Sequence, residues 1–548
     1  MWLIIALLTL VQLPSAPVHV RVVRSNVATI TGLSVVHRAG QSFITFTKNS
    51  GSTSATTYDV YRSTSTITSL SGLTKIATLD ADSWHLLYDD SAAPLPHLSS
   101  GFIVTDDGAA LDSTQGLLVW TTAFSGNFYY AVVNSDDPTT ITVGTNSLTS
   151  PIAETHQAVP GWVRLEAPFT DPSGNATTSL YFRWEDYAIW KTRQWGYYGH
   201  KVSVFKPIGL ESVAAPYPIL VALEGADNTQ YKEPSRNITH IPHAVEIYFK
   251  DSGAVNVADV YAVDNSNHGQ SSYFGRNDTD TNEIVPITEG RLCAYVRLVR
   301  DDAAFEVNPN RIYIEGGSLG SRSLQVAMHN STLFTAVVTT QVIIDNVAAQ
   351  TVQPGANPVR GIAGSPSATN YLSAKWPADN GYPAPVILLT YTKDDDQVDP
   401  TNIPAALTAF ETAKFVFAAA WGGHTTSSPG DVTGHAGYYI DGNDGGGTWD
   451  LFRFLSNESC PAFANSSNSD AVGTAPGSGF GQRNNDLDWH SARHAIAGGA
   501  AIVDAATTYS MSFISKNGSP TVDVTIPYIS LTAPLDISGG GASYQRVL

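Results

Sequence analysis

The sequence predicts an α/β protein: a mostly parallel sheet with helices on both faces, preceded by a β-sandwich and followed by a small β-module. Three observations predict it. From about Ser179 to Leu455, apolar runs of strand length alternate with stretches of helical spacing, the rhythm of strand–helix–strand units. Before Thr149, short alternating runs are separated by Gly, Ser, Asn and Asp, as in sandwiches. After Ser459, Gly-, Asn- and Ser-rich turns enclose β-like runs such as Tyr509–Ile514 and Val522–Ile526. At 548 residues the chain exceeds what one core organises, so several units are expected.

Taken in order, residues 24–150 form the sandwich. Ser42–Phe46, Tyr58–Arg62 and Phe128–Val133 are its clearest strands, and Gly116 to Val133 reads as a late hairpin. Residues 151–178 read as a linker and 179–458 as the α/β unit. Within that unit, Val202–Phe205 and Pro218–Leu223 read as strands, the second continuous enough to be buried on both faces. Leu292, Tyr295, Val296, Leu298 and Val299 make one side of a helix between Arg291 and Phe305. Pro309 closes a loop and Arg311–Ile314 is the next strand. Val386–Leu389 and Phe415–Ala419 are further buried strands, with a helix at Ile403 to Ala413 between them. Residues 459–548 form the terminal module.

Composition excludes some partners. Charged residues are only 14% of the chain, and 30 basic against 49 acidic side chains give a net charge of −19. A surface of that sign repels phosphates, so no nucleic-acid partner and no anionic membrane are expected. Residues 1–16 carry an apolar run closed by small residues, the pattern of a signal peptide, and later apolar runs are too short to span a bilayer. A secreted, extracellular protein is expected. Cys293 and Cys460 could pair in such a compartment or remain free.

Chemistry enters at Gly316-Gly317-Ser318-Leu319-Gly320, placed between the strand ending at Ile314 and a helical stretch from about Arg322 to His329. That is the context of a GxSxG nucleophile turn. The chain reverses so tightly that side chains two residues either side of the serine would clash, hence the glycines. A serine nucleophile needs a base oriented by a carboxylate, and in this arrangement both follow on loops after later strands. After Val386–Leu389 comes Lys393-Asp394-Asp395-Asp396-Gln397-Val398-Asp399-Pro400; after Phe415–Ala419 comes Trp421-Gly422-Gly423-His424. Ser318, Asp395 and His424 are therefore the expected triad, with Asp394, Asp396 and Asp399 as competitors for the acid. The backbone N–H of Leu319 is one expected oxyanion donor. The other comes from the loop after Pro218–Leu223, at Ala226 or alternatively Gly225. Trp421, three residues before the base, is the expected substrate-lining aromatic.

The segment Asn308 to Gly320 resembles the elbow region of secreted α/β-hydrolase-fold esterases of the feruloyl-esterase and polyhydroxybutyrate-depolymerase kind. The Gly-Gly-Ser start and the Asp-Asp-Gln-Val-Asp-Pro loop are also similar to the prolyl oligopeptidase family, and that similarity implies Asp395 as the acid. The resemblance covers roughly Tyr187 to Leu455 and departs where the families carry His-Gly; here Glu224-Gly225 stands instead. It implies carboxylic ester hydrolysis through an acyl-enzyme on polymer-linked esters, with serine peptidase activity as the alternative. The order of pieces before Thr149 resembles a fibronectin type III domain, implying a spacer that small-ester chemistry could do without.

No cofactor, metal or protein partner is expected. His240/His243 and His490/His494 have spacings that could ligate a metal, but Pro242 breaks any helix between the first pair and no HExxH pattern follows. Asp441-Gly442-Asn443-Asp444-Gly445 lacks the later glutamate of a calcium loop and reads as a turn. Tyr197 and Tyr198 are further aromatics that could line a cleft.

Overall fold

A computed structural model describes residues 30–84, 101–184 and 199–223 with internal breaks, then 244–249, 276–278, 283–317 and 321–344 with two breaks. It further describes residue 362, residues 366–391 with one break, 403–421, 454–457, and from 460 onward strands alone. The apolar N-terminal run lies outside the described residues.

Among the described residues seven strands come first: β1 (Thr31–Arg38), β2 (Gln41–Thr47), β3 (Thr57–Ser63), β4 (Lys75–Asp80), β5 (Gln115–Thr121), β6 (Gly126–Asn134) and β7 (Ile152–Glu154). They form two antiparallel sheets, β1-β2-β5 and β4-β3-β6-β7. Alternation drives this: inward residues of both sheets, among them Phe46, Tyr58, Leu118 and Val132, share one buried cluster. Gly116 lies so close to Phe46 that a Cβ would sit 2.3 Å from the ring, which explains glycine inside that strand. The late hairpin expected over Gly116–Val133 does not form. β5 pairs with β2 and β6 with β3, so the chain crosses between sheets at that turn. Each strand completes a different sheet's hydrogen bonds, a choice local pattern does not encode.

The expected linker, residues 151–178, contains four strand segments among its described residues. β7 completes the second sheet of the sandwich, and β8 (Val163–Arg164), β9 (Phe169–Thr170) and the start of β10 (Ala176–Trp184) join the main sheet. Glu154 on β7 is buried, and burial by itself would raise its carboxyl. Bonds from Tyr130, Arg62, Ser42 and Thr122 outweigh that and hold it below the usual range. The sandwich core continues into the main sheet: Val163, Leu180, Phe182 and Trp184 belong to the same cluster as Phe43 and Phe102.

The main sheet continues with β11 (Gly199–Pro207), β12 (Tyr217–Leu223) and β13 (Val245–Phe249). A small antiparallel pair, β14 (Arg276–Asp278) and β15 (Glu283–Val285), stands apart from it. Then come β16 (Val307–Gly317), β17 (Ala336–Thr340), β18 (Val386–Tyr391) and β19 (Phe417–Trp421). The order across the sheet is β8-β10-β11-β13-β12-β16-β17-β18-β19, with β9 also on β10. β13, β12, β16, β17, β18 and β19 run parallel, while β11 is antiparallel to its neighbours. β12 is buried at every position, as its unbroken apolar run requires. β16 begins earlier than expected and runs through Pro309. Its register against β12 slips between Tyr217 and Ile219, where Pro309 meets no ladder hydrogen bond it would have to supply.

Among the described residues five α-helices accompany the sheet: α1 (Ile287–Asp301), α2 (Ser323–His329), α3 (Ala368–Tyr371), α4 (Lys375–Asp379) and α5 (Ile403–Ala413). α1 starts after Pro286, with Glu289 in its first turn and Arg300 in its last, each the sign its end of the helix dipole favours. Leu292, Tyr295, Val296 and Val299 of α1, most of α2, and Leu407 and Phe410 of α5 bury against Val221, Ile314, Val337 and Ile387. α5 stops because Lys414 adopts a left-handed conformation, φ 61°, which turns the chain into β19. Among the described residues these helices cover one face of the sheet. Cys293, inside α1, is buried and free.

From 460 onward lie β20 (Cys460–Phe463), β21 (Gln482–Arg483), β22 (Leu487–Asp488), β23 (Val503–Asp504), β24 (Thr508–Ser515), β25 (Val522–Pro527), β26 (Leu535–Ile537) and β27 (Gly540–Gln545). β24 pairs antiparallel with β25, while β21 extends the main sheet along β19.

Candidate active site

The site residues read from the sequence, Ser318, Leu319, Asp395, His424 and Ala226, lie outside the described residues, and so do Gly225, Glu224 and the competing aspartates. The elements that carry them are described. β16 ends at Gly317, immediately before Ser318, and α2 begins at Ser323. β18 ends at Tyr391, four residues before Asp395. β19 ends at Trp421, three before His424, and β12 ends at Leu223, three before Ala226.

These four strands are parallel members of one sheet, so their C-terminal ends share one edge. The register aligns the ends: Leu223 pairs with Gly316, Gly317 with Thr340, Thr339 with Leu389, and Tyr391 with Trp421. With neighbouring strands about 4.8 Å apart, the exits of β16 and β18 are separated by roughly 10 Å, within reach of facing loops. β12 and β16 also mark the point where connections leave in opposite directions, since β13 flanks β12 on one side and β16 on the other. Open α/β sheets bind ligands at such a switch point, outside the carboxyl ends of the strands. Trp421 occupies the last position of β19, on that edge.

Sequence reasoning missed Glu315. It pairs with Ala222 on one side and Val338 on the other, three positions before Ser318. Part of the residue keeps some exposed surface, yet the dense sheet around it dominates. Burial first, and the negative charge of Glu246 second, push its carboxyl up to about 8. Strand period alone could have flagged it, as a charge inside an otherwise apolar run. Its folded value lies above the ordinary value near ~4.3, so the folded state binds more protons than the unfolded one between those pH values. Stability therefore falls as pH rises from about 4 to about 8. Glu315→Gln removes the titration, and its melting temperature should overtake that of the parent chain across that interval. Parallel melting curves from pH 5 to 8 would show that Glu315 ionises normally.

His240, His243, His490 and His494, Asp441 to Gly445, and Tyr197 and Tyr198 also lie outside the described residues. No group of three or more metal-ligating side chains occurs among the described ones, and no helix there is long and apolar enough to cross a membrane.

The parallel sheet order, with α2 beginning six residues after β16 ends, is an α/β-hydrolase-like layout. No family model and no curated protein matches the chain. Among solved structures it is similar to an S-formylglutathione hydrolase from Agrobacterium tumefaciens, with TM-score 0.34 and 14% identity over 45% of this chain and 87% of that one. It is also similar to Thermogutta terrifontis esterase 2. The apo form gives TM-score 0.27 and 14% identity over 40% of this chain and 77% of that one; a butyrate-bound form gives 0.26, 13%, 40% and 77%.

Proposed function

We propose that the chain is an exported serine carboxylic ester hydrolase. Ser318 is the nucleophile, His424 the general base, Asp395 the group that orients it, and the N–H groups of Leu319 and Ala226 the oxyanion hole. The observation that carries this reading is the common edge: four parallel strands release the four segments side by side, in the chain order serine, acid, histidine. His424 takes the serine proton as Ser318 Oγ attacks the ester carbonyl, and the oxyanion hole receives the charge. The tetrahedral intermediate expels the alcohol, which leaves with the proton from His424. Water, deprotonated by the same imidazole, then attacks the acyl-enzyme and releases the acid.

Polymer-linked esters, such as acylated polysaccharides or polyesters, are the proposed substrates, with Trp421 lining the cleft. The seven strands split three and four support a fibronectin type III-like reading of the first unit. Among the described residues, one sandwich lies before the α/β unit. Esters suit this triad because their alkoxide leaves with less proton help than an amine. Esters should accordingly be cleaved with kcat/KM at least about 100-fold above amides of the same acyl group, a gap a single oxyanion donor can span. Matched ester and amide substrates measure this, and activity confined to prolyl peptides would turn the reading to a peptidase.

A further inference from the structure

The end of α2, the helix that leaves the nucleophile turn, is held by a buried cluster drawn from three helices. His329 Nδ1 lies 2.9 Å from Glu289 Oε2 of α1, and His329 Nε2 lies 3.0 Å from the carbonyl oxygen of Tyr371 in α3. Asn330 Nδ2 donates to Glu289 Oε1 at 2.9 Å and to the carbonyl of Val326 at 3.0 Å. The side chains of His329 and Glu289 are 1% and 9% exposed.

Both ring nitrogens of His329 therefore face acceptors. A neutral imidazole has a single N–H and can serve only one of them; its other nitrogen would set a lone pair against an oxygen. We propose that His329 and Glu289 together hold one proton more than a neutral imidazole and a carboxylate would, and that this protonated pair is the clamp that positions α2 and, through it, the nucleophile turn. The Tyr371 ring supports the charge: it stacks on the imidazole at 3.9 Å and 17°. Cys293 and Arg297 of α1 and Tyr382 beyond α4 are further titratable groups near the cluster among the described residues. Burial, and after it the negative charge of Glu289, raise both the Cys293 thiol and the Tyr371 phenol, so neither supplies a competing charge.

α2 is seven residues long, so the clamp stands roughly 10 Å along the helix axis from the turn. When rising pH removes the extra proton, one contact becomes repulsive, and α1, α2 and α3 lose their common anchor.

This inference rests on the reading of Ser318 for its catalytic consequence alone; the proton count stands apart from it. Glu289→Gln tests it, because the amide keeps both contacts without the extra proton. Its carbonyl accepts from Asn330, and its N–H donates to Nδ1 of a neutral imidazole whose Nε2–H still serves Tyr371. Nitrogen-15 NMR of the full chain with labelled histidine should show at pH 7 one ring with two bound protons. That signal should be absent from His329→Gln and reduced to one proton in Glu289→Gln. On an aryl ester, kcat of the parent should fall with rising pH by on the order of 10-fold relative to Glu289→Gln, with KM unchanged. A singly protonated ring in the parent overturns the proposal, and so does the same alkaline loss of kcat in both proteins. Were there no ester turnover and no fluorophosphonate label on Ser318, the functional reading would fail by itself. The ring protons, and a steeper alkaline fall in the parent's melting temperature, would still decide the clamp.

Discussion

Ser318→Ala should abolish ester turnover, lowering kcat by about 10⁴ to 10⁶ while the fold remains intact. The size of the loss follows from the division of labour in the site. Without Oγ no acyl-enzyme forms, and what survives is the binding and polarisation of the carbonyl by the oxyanion hole. The substitution itself is mild: it removes one oxygen from a segment bounded by Gly316, Gly317 and Gly320. Melting temperatures should thus match within a degree or two while activity disappears, and a fluorophosphonate probe that labels the parent chain should leave the variant unlabelled. Labelling that persists in Ser318→Ala would place the nucleophile elsewhere.

Where the chain obeys one local rule, the sequence was readable. The buried run Pro218–Leu223 became β12, and the helix expected at Ile403 to Ala413 has those bounds. The strand expected at Arg311–Ile314 lies within β16, and the helix expected from about Arg322 to His329 is α2, because each follows one local pattern. What pattern could not supply was pairing. β5 and β6 look like a hairpin in sequence, and only their different sheets reveal the crossing. Residues 151–178 looked like a linker because β7, β8 and β9 are only two or three residues long, too short to show alternation. Glu315 escaped notice because it belongs to a motif whose meaning was taken from its glycines and serine. His329 and Glu289 lie far apart in sequence, and their meeting depends on how α1 and α2 pack.

Removing the first unit should unfold the catalytic one, contrary to what a detachable spacer implies. A chain cut at Pro151 loses the partners of a continuous core. Trp184, 1% exposed, packs edge-on against Phe43 at 5.2 Å and tilted against Phe102 at 5.5 Å, and Gln41 Nε2 donates to its carbonyl at 3.0 Å. Phe182 meets Phe102 at 5.4 Å, and Arg164 of β8 pairs with Asp107 of the sandwich. Glu154 would lose Arg62, Ser42 and Tyr130 together. Exposing Trp184, Phe182 and Leu180 forfeits roughly 1.5–3 kcal/mol for each large side chain, a sum comparable to the whole stability of a typical domain, about 5–15 kcal/mol. Trp184→Ala isolates the effect in the full chain and should cost about 3–5 kcal/mol through the cavity it opens, read as a lower denaturation midpoint with an unchanged slope. The fragment from Pro151 onward should be insoluble, or bind a hydrophobic dye without a cooperative melt. A fragment that melts cooperatively and cleaves small esters at the parent rate would show that the shared core is dispensable.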